Sequence, residues 1–270
     1  MDKYFVIGNP IEHSKSPFIH QSFAKSTKQT LTYEKQYVEL DQFETFIHNF
    51  IKEGGKGCNI TVPFKERAFA MAETLTPRAQ AAGAVNTLSF TNDGNIIGDN
   101  TDGQGLVEDL LRQQVVLRNK RILIIGAGGA ARGSILPLLE QGPASISVTN
   151  RTFEKAQQLV NEFDNEKLRC VELSNLDVNF DLIINSTSAS LTNKLPPISE
   201  QVIANASCCY DMAYGNEPTC FLQWAHKLGV EQRIDGLGML VGQAAESFKI
   251  WRNIQPDVTS VLSTLRAQIA

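Results

Sequence analysis

The 270-residue chain sets 25 Lys and Arg against 29 Asp and Glu, for a net charge of −4, and 42% of its residues are hydrophobic. With no basic block, that balance argues against nucleic acid or an anionic membrane surface as the main partner. The length suffices for one large domain or two modest ones. The five cysteines (Cys58, Cys170, Cys208, Cys209, Cys220) show no C-x-x-C spacing, and the histidines at 13, 20, 48 and 226 show no ligand spacing. Neither a disulfide framework nor a metal site is expected.

The chain enters an apolar strand at Tyr4–Ile7, closed by Gly8, with no basic n-region or long apolar h-region ahead of it. No later run is long enough to span a bilayer, so a cytoplasmic protein is expected. Ser14-Lys15-Ser16-Pro17 follows the strand and opens a helix. Two hydroxyls flanking a helix N-terminus can hold a carboxylate, but Ser16 before Pro17 reads first as a simple N-cap. Phe43, Phe46, Ile47, Phe50 and Ile51 share one face of a helix over 42–52, capped by Asp41 and Glu44. Asn59-Ile60-Thr61-Val62-Pro63-Phe64-Lys65 runs from a strand into another helix and sets Lys65 in its first turn. A cation there opposes the helix dipole, a poor choice for stability alone; the same field disfavours the ammonium form, the direction acid–base chemistry needs. Lys65 reads equally well as a snorkelling surface lysine.

Asn86-Thr87 follows Gly83-Ala84, and Asn92-Asp93-Gly94-Asn95 predicts a hairpin turn between strands at 86–90 and 95–98. Asp102, in Asp99-Asn100-Thr101-Asp102-Gly103, stands where a turn feeds a helix running to Gln113, and an N-cap role competes with any chemical one. Next, the strand Arg121–Ile125 runs into Gly126-Ala127-Gly128-Gly129-Ala130-Ala131, a G-x-G-x-x-A turn that opens a helix. This is the fingerprint of a dinucleotide-binding βα unit, with the pyrophosphate on the helix N-terminus. The following strand, Ser145–Thr149, ends in Asn150-Arg151-Thr152 where an NAD site carries an acid, and Lys155 lies a turn further on. A guanidinium there can bind a 2′-phosphate in a planar fork, so NADP is the expected cofactor, against the plain reading of Arg151 and Lys155 as solvated surface cations. Further strands are predicted at 168–171, 181–185, 207–211 and 230–234, and helices at about 239–252 and 257–269. Gln243 borders the apolar face of Leu240, Ala244, Phe248 and Trp251, where a glutamine is usually just solvated.

The alternation of strands and helices predicts an α/β protein of two domains. Residues 1–101 and 237–270 form an N-terminal α/β substrate domain to which the C-terminal helices return, and 102–236 form a Rossmann-type dinucleotide-binding domain. No G-x-S-x-G or H-E-x-x-H occurs, so nucleophilic hydrolysis and metal catalysis have no support.

Taken together, these ordered blocks resemble shikimate dehydrogenases along essentially the whole chain. The carrying stretches are Gly8-Asn9-Pro10, Ser14–Pro17, Asn59–Lys65, Ala84–Thr87, Asn100–Gly103, Gly126–Ala130 and Asn150–Thr152, then Tyr210-Asp211-Met212, Tyr214 and Asp235–Leu240. The resemblance implies NADPH-dependent, reversible reduction of 3-dehydroshikimate to shikimate in aromatic amino-acid biosynthesis. It implies Lys65 and Asp102 as the pair relaying a proton at the C3 oxygen, and Ser14 and Ser16 as holders of the substrate carboxylate. It also implies contacts from Thr61, Asn86, Asp102 and Gln243 to the ring hydroxyls, with Tyr214 facing the substrate. On the cofactor side it implies Gly126, Ala127, Gly128, Gly129 and Ala130 at the pyrophosphate, and Asn150, Arg151, Thr152 and Lys155 at the 2′-phosphate. Met212 and Gly236 would line the nicotinamide. Lys155 stands where such proteins frequently have arginine, and Ser188-Ala189-Ser190 where a glycine often ends the loop; the second departure is expected to matter little. The partner is a small molecule, and the chain is expected to be a monomer or homodimer. A quinate/shikimate enzyme using NAD as well, and a catalytically silent shikimate- or dinucleotide-binding module, are the alternatives.

Overall fold

The computed structural model describes residues 1–269. The chain divides into two compact units, Met1–Gly105 with Val241–Thr264, and Leu106–Leu240 with Leu265–Ala270. In the first unit the order is β1 (Asp2–Gly8), α1 (Ser16–Ser26), β2 (Leu31–Tyr37), α2 (Phe43–Lys52), β3 (Gly57–Ile60), α3 (Lys65–Met71), β4 (Thr74–Leu75), α4 (Pro77–Ala82), β5 (Thr87–Phe90) and β6 (Ile96–Asp99), followed by the start of α5 (Asp102–Arg112). These six strands form one sheet in the order β2-β1-β3-β5-β6-β4. β1 lies parallel to β2 and β3, while β5 runs antiparallel to both β3 and β6. The β5–β6 hairpin turns at Gly94, whose φ of 85° only glycine adopts without strain, as the Asn-Asp-Gly-Asn signal predicts.

Each face of this sheet has its own core because the side chains of β1 alternate. Ile7 joins Phe43, Ile47 and Phe50 of α2 on one side. Tyr4 and Val6 join Tyr33 and Trp251 on the other. The α2 face is as its periodicity predicts, but its cap is not: Gln42 caps the helix without a side-chain bond, and the Glu44 carboxylate instead pairs with Arg67.

The second unit contains β7 (Arg121–Ile125), α6 (Gly129–Glu140), β8 (Ser145–Thr149), α7 (Phe153–Asn161), β9 (Leu168–Cys170), β10 (Leu182–Asn185), α8 (Glu200–Ala204), β11 (Cys208–Asp211), α9 (Cys220–Lys227) and β12 (Gln232–Asp235). Two further helices, α10 (Leu237–Arg252) and α11 (Val258–Ile269), end the chain, and the boundary between the units falls within each of them. The sheet is all parallel, in the order β12-β11-β10-β7-β8-β9. Covered on both faces, β7 reads as a continuous apolar run: Ile122 and Ile124 pack into one core, Leu123 and Ile125 into the other. Strand order reverses between β7 and β10, which makes the end of β7 the topological switch point where such sheets bind ligands.

The predicted strand at 230–234 begins two residues late. Gly229, at φ 89°, closes α9, and the Val230 N–H is spent on the Ala225 carbonyl. α10 begins two residues early because the Asp235 carboxylate accepts the Leu237 N–H at 3.2 Å. Among the described residues no helix is long and apolar enough to cross a membrane, and no group of His, Cys, Asp and Glu could hold a metal ion.

Candidate active site

Lys65 opens α3, and its ammonium donates to Asp102 Oδ2 at 2.5 Å, a carboxylate that offsets the cost of a cation at a helix start. Both side chains keep some exposure, 29% and 21%, so the pair is held by the fold yet open to a ligand. Asp102 does not serve as the cap of α5. Its own N–H donates to Asn100 Oδ1 at 3.1 Å, and Asn86 Nδ2 donates to its second oxygen at 2.8 Å. The Asn86 amide is in turn fixed by a buried network. Its Oδ1 accepts from the Thr101 N–H at 2.9 Å and the Thr87 hydroxyl at 2.8 Å, and its Nδ2 lies 2.9 Å from Thr101 Oγ1. Gln243 is not merely solvated; its Oε1 lies 3.4 Å from Asn86 Nδ2.

Sequence reasoning missed the centre of this network. Ser247 Oγ lies 2.8 Å from Thr87 Oγ1 and 3.2 Å from Thr101 Oγ1, accepts from Asn59 Nδ2 at 3.0 Å, and donates to the Gln243 carbonyl. The available signal was spacing: Ser247 follows Gln243 by four residues on α10, one turn along the same face. Asn59 Oδ1 also accepts from the buried Tyr33 hydroxyl at 2.7 Å. Burial pushes that phenol well above its ordinary range, opposed by the Ser16 hydroxyl.

At the start of α1 the residue in the cap position is Lys15, with no side-chain cap bond. Ser14 Oγ accepts the Ser16 N–H at 3.3 Å, so the Ser16 hydroxyl is not consumed as the cap that its place before Pro17 suggests. Thr61 sits at the end of β3, its N–H bonded to the Ile7 carbonyl at 2.9 Å and its own carbonyl accepting Phe64 N–H. Tyr214 belongs to the second unit, on the segment after β11, outside this network.

In the second unit a groove of about 660 Å³ is lined by Gly126 through Ala130, by Asn150, Arg151, Thr152 and Lys155, and by the segment Ser186–Ala189. No acidic residue lines it. Gly126 turns at φ 114°, with the Ser186 hydroxyl where a Cβ would project. In front of Gly128 and Gly129 nothing lies within 4 Å of a Cβ position, and no side chain caps α6. An open cradle, an uncapped helix N-terminus and cations without acids suit a phosphorylated dinucleotide. Met212 and Gly236 are not part of this lining. They meet two and three strands away from β7, at the ends of β11 and β12, where a Cβ on Gly236 would overlap the Met212 carbonyl oxygen. Asp235, just before Gly236, is held by both terminal nitrogens of Arg266, at 2.6 and 2.7 Å.

Comparison with known proteins extends this geometry. The family models described as Shikimate dehydrogenase substrate binding domain, Shikimate / quinate 5-dehydrogenase and Shikimate 5'-dehydrogenase C-terminal domain match residues 6–88, 109–202 and 236–266. The shikimate dehydrogenase (NADP(+)) of Vibrio cholerae serotype O1 is 55% identical over 272 aligned residues, covering 100% of this chain and 97% of that protein. Among solved structures, an Ael1 enzyme from Pseudomonas putida is 46% identical, with a TM-score of 0.95 over 98% of each chain. The shikimate 5-dehydrogenase of Thermus thermophilus, solved in complex with NADP(H) and shikimate, is 30% identical, with a TM-score of 0.88 over 100% of each chain. With family models over most of its length and a full-length relative at 55% identity, the chain belongs to the shikimate dehydrogenase family.

Proposed function

We propose that this chain catalyses the NADP-dependent, reversible reduction of 3-dehydroshikimate to shikimate, an oxidoreductase step of aromatic amino-acid biosynthesis. The first unit binds the substrate acid and the second the cofactor. The observation that carries the reading is the Lys65–Asp102 pair, 2.5 Å apart, with the second carboxylate oxygen held by Asn86. When bound, NADPH supplies the hydride that reduces the C3 carbonyl carbon. The proton that completes the hydroxyl at the C3 oxygen comes from the Lys65 ammonium, and in the reverse direction Lys65 Nζ takes it back. The ionised Asp102 carboxylate keeps that ammonium oriented, while Asn86 stops the carboxylate from rotating away. Ser14 and Ser16, at the start of α1, bind the substrate carboxylate, aided by the helix dipole. Thr61, Asn86 and Gln243 supply donors and acceptors for the ring hydroxyls, and Tyr214 packs against the substrate. Gly126–Ala130 hold the pyrophosphate, Asn150, Arg151, Thr152 and Lys155 the 2′-phosphate, and Met212 and Gly236 border the nicotinamide.

The test is Lys65→Ala, assayed by shikimate-dependent reduction of NADP+. Positioned proton transfer is worth roughly 10²–10⁴-fold, so kcat falls by that order while KM for shikimate changes little. A variant that keeps near-native kcat removes the proton-transfer role.

A further inference from the structure

The motifs account for two of the cations in the cofactor groove. The groove has a third, Lys194, facing it from the segment after β10. An exposed lysine is ordinarily a solvated surface charge, and three observations set this one apart. First, its backbone is held on both sides: the Lys194 N–H donates to the Ala189 carbonyl at 2.9 Å, and its carbonyl accepts from Cys220 Sγ at 3.3 Å. Asn193 before it turns in the left-handed region, at φ 54°. Second, the short turn Ala189–Thr192 that leads into it is pinned to a buried carboxylate. Ser190 Oγ donates to Asp211 Oδ2 at 2.6 Å, and Asp211 also accepts from Thr219 Oγ1, Asn185 Nδ2 and the Ala213 N–H. The Ser190 side chain thereby fastens the groove wall. Third, Arg151, Lys155 and Lys194 all line one groove without an acid, and none of the three forms an ion pair among the described residues.

A phosphate monoester presents three terminal oxygens and close to two negative charges. Arg151 satisfies part of this with its planar fork, and Lys155 adds one point charge. We propose that Lys194 is a further specificity-determining residue, its ammonium pairing with the 2′-phosphate of the dinucleotide across the groove from Arg151 and Lys155. The inference rests on the NADP reading above and deepens it. A fixed wall presents the lysine in advance, so less ordering entropy is lost on binding than for a cation on a mobile loop.

The experiment titrates the full-length protein, wild type, Lys194→Gln and Lys194→Arg, with NADP+ and with NAD+ at low and moderate salt. Lys194→Gln is expected to weaken NADP+ about five- to tenfold, the order of one partly exposed charge-assisted contact. It should leave NAD+ within twofold and flatten the salt dependence of NADP+ binding. Lys194→Arg should restore most of the loss, and KM for shikimate should stay unchanged in both variants. Unchanged NADP+ affinity in Lys194→Gln overturns the inference alone, and so does an equal loss for both cofactors, which would put the lysine on the pyrophosphate. A wild-type protein with no preference for NADP+ over NAD+ overturns the cofactor reading, and this inference with it.

Discussion

His20 lies beneath the first unit's polar network, 1% exposed, stacked flat on Tyr33 with ring centroids 4.1 Å apart. Neither ring nitrogen has a hydrogen-bond partner among the described residues. Burial pushes this imidazole down from 6.5 to about 3, opposed in part by the nearby Asn59 side chain. Between those values the unfolded chain binds a proton that the folded protein refuses, so His20 subtracts stability progressively as pH falls from about 6.5 toward 3. The slope of this contribution is at most about 1.4 kcal/mol per pH unit. Denaturant unfolding of wild type and His20→Phe across that range should show the variant losing less stability on acidification. Parallel pH profiles would mean that folded His20 takes up its proton as readily as the unfolded chain does, which would contradict the burial argument. Asp99 adds acid sensitivity in a lower window. Although burial raises its carboxyl, the Arg78 guanidinium, the Thr76 hydroxyl and the Asn100 N–H together outweigh burial and hold it below its usual range, so its contribution is lost only as pH falls through the folded value.

At the scale of elements, the returning helix α10 carries Ser247 into a hub of four neighbouring polar groups, three of which belong to the strand and turn residues around Asn86. Removing one hydroxyl leaves buried donors and acceptors unpaired, at about 1–3 kcal/mol. Ser247→Ala should therefore lower unfolding stability by that amount and lower kcat, since Asn86 loses part of its support for Asp102. A stability equal to wild type would show that the hub is dispensable. Only one edge of this hub was legible in the sequence, the four-residue spacing that puts Ser247 on the face of Gln243. Thr87, Thr101 and Asn59 come from other segments, and tertiary packing alone brings them to it. The elements themselves were legible where one principle dominated: β7 by its apolar run, α2 by its periodicity, and the β5–β6 hairpin by its turn residues. Ends and caps were harder to read. Asp41 and Glu44 suggested a capping box for α2, but the structure spends Glu44 on Arg67, a partner 23 residues away.

Across the whole molecule the same division holds. The fingerprint at Gly126, the absence of an acid after β8 and Arg151 in its place all lie within local sequence, and they specified an α/β fold with an NADP-type groove. The pairing of Lys65 with Asp102, 37 residues apart, depended on a fold that lays α3 and the start of α5 side by side; residue types alone left each open to a surface or capping role. The central claim is the NADP-dependent reaction on shikimate, and a substrate-by-cofactor assay tests it most directly. The measurement is kcat/KM for shikimate and for quinate, each with NADP+ and with NAD+. The account predicts that shikimate with NADP+ exceeds the other three combinations, with the NAD+ penalty falling mainly on cofactor KM. Turnover that favours NAD+ or quinate, or binding of shikimate and NADP+ with no turnover at all, would contradict it.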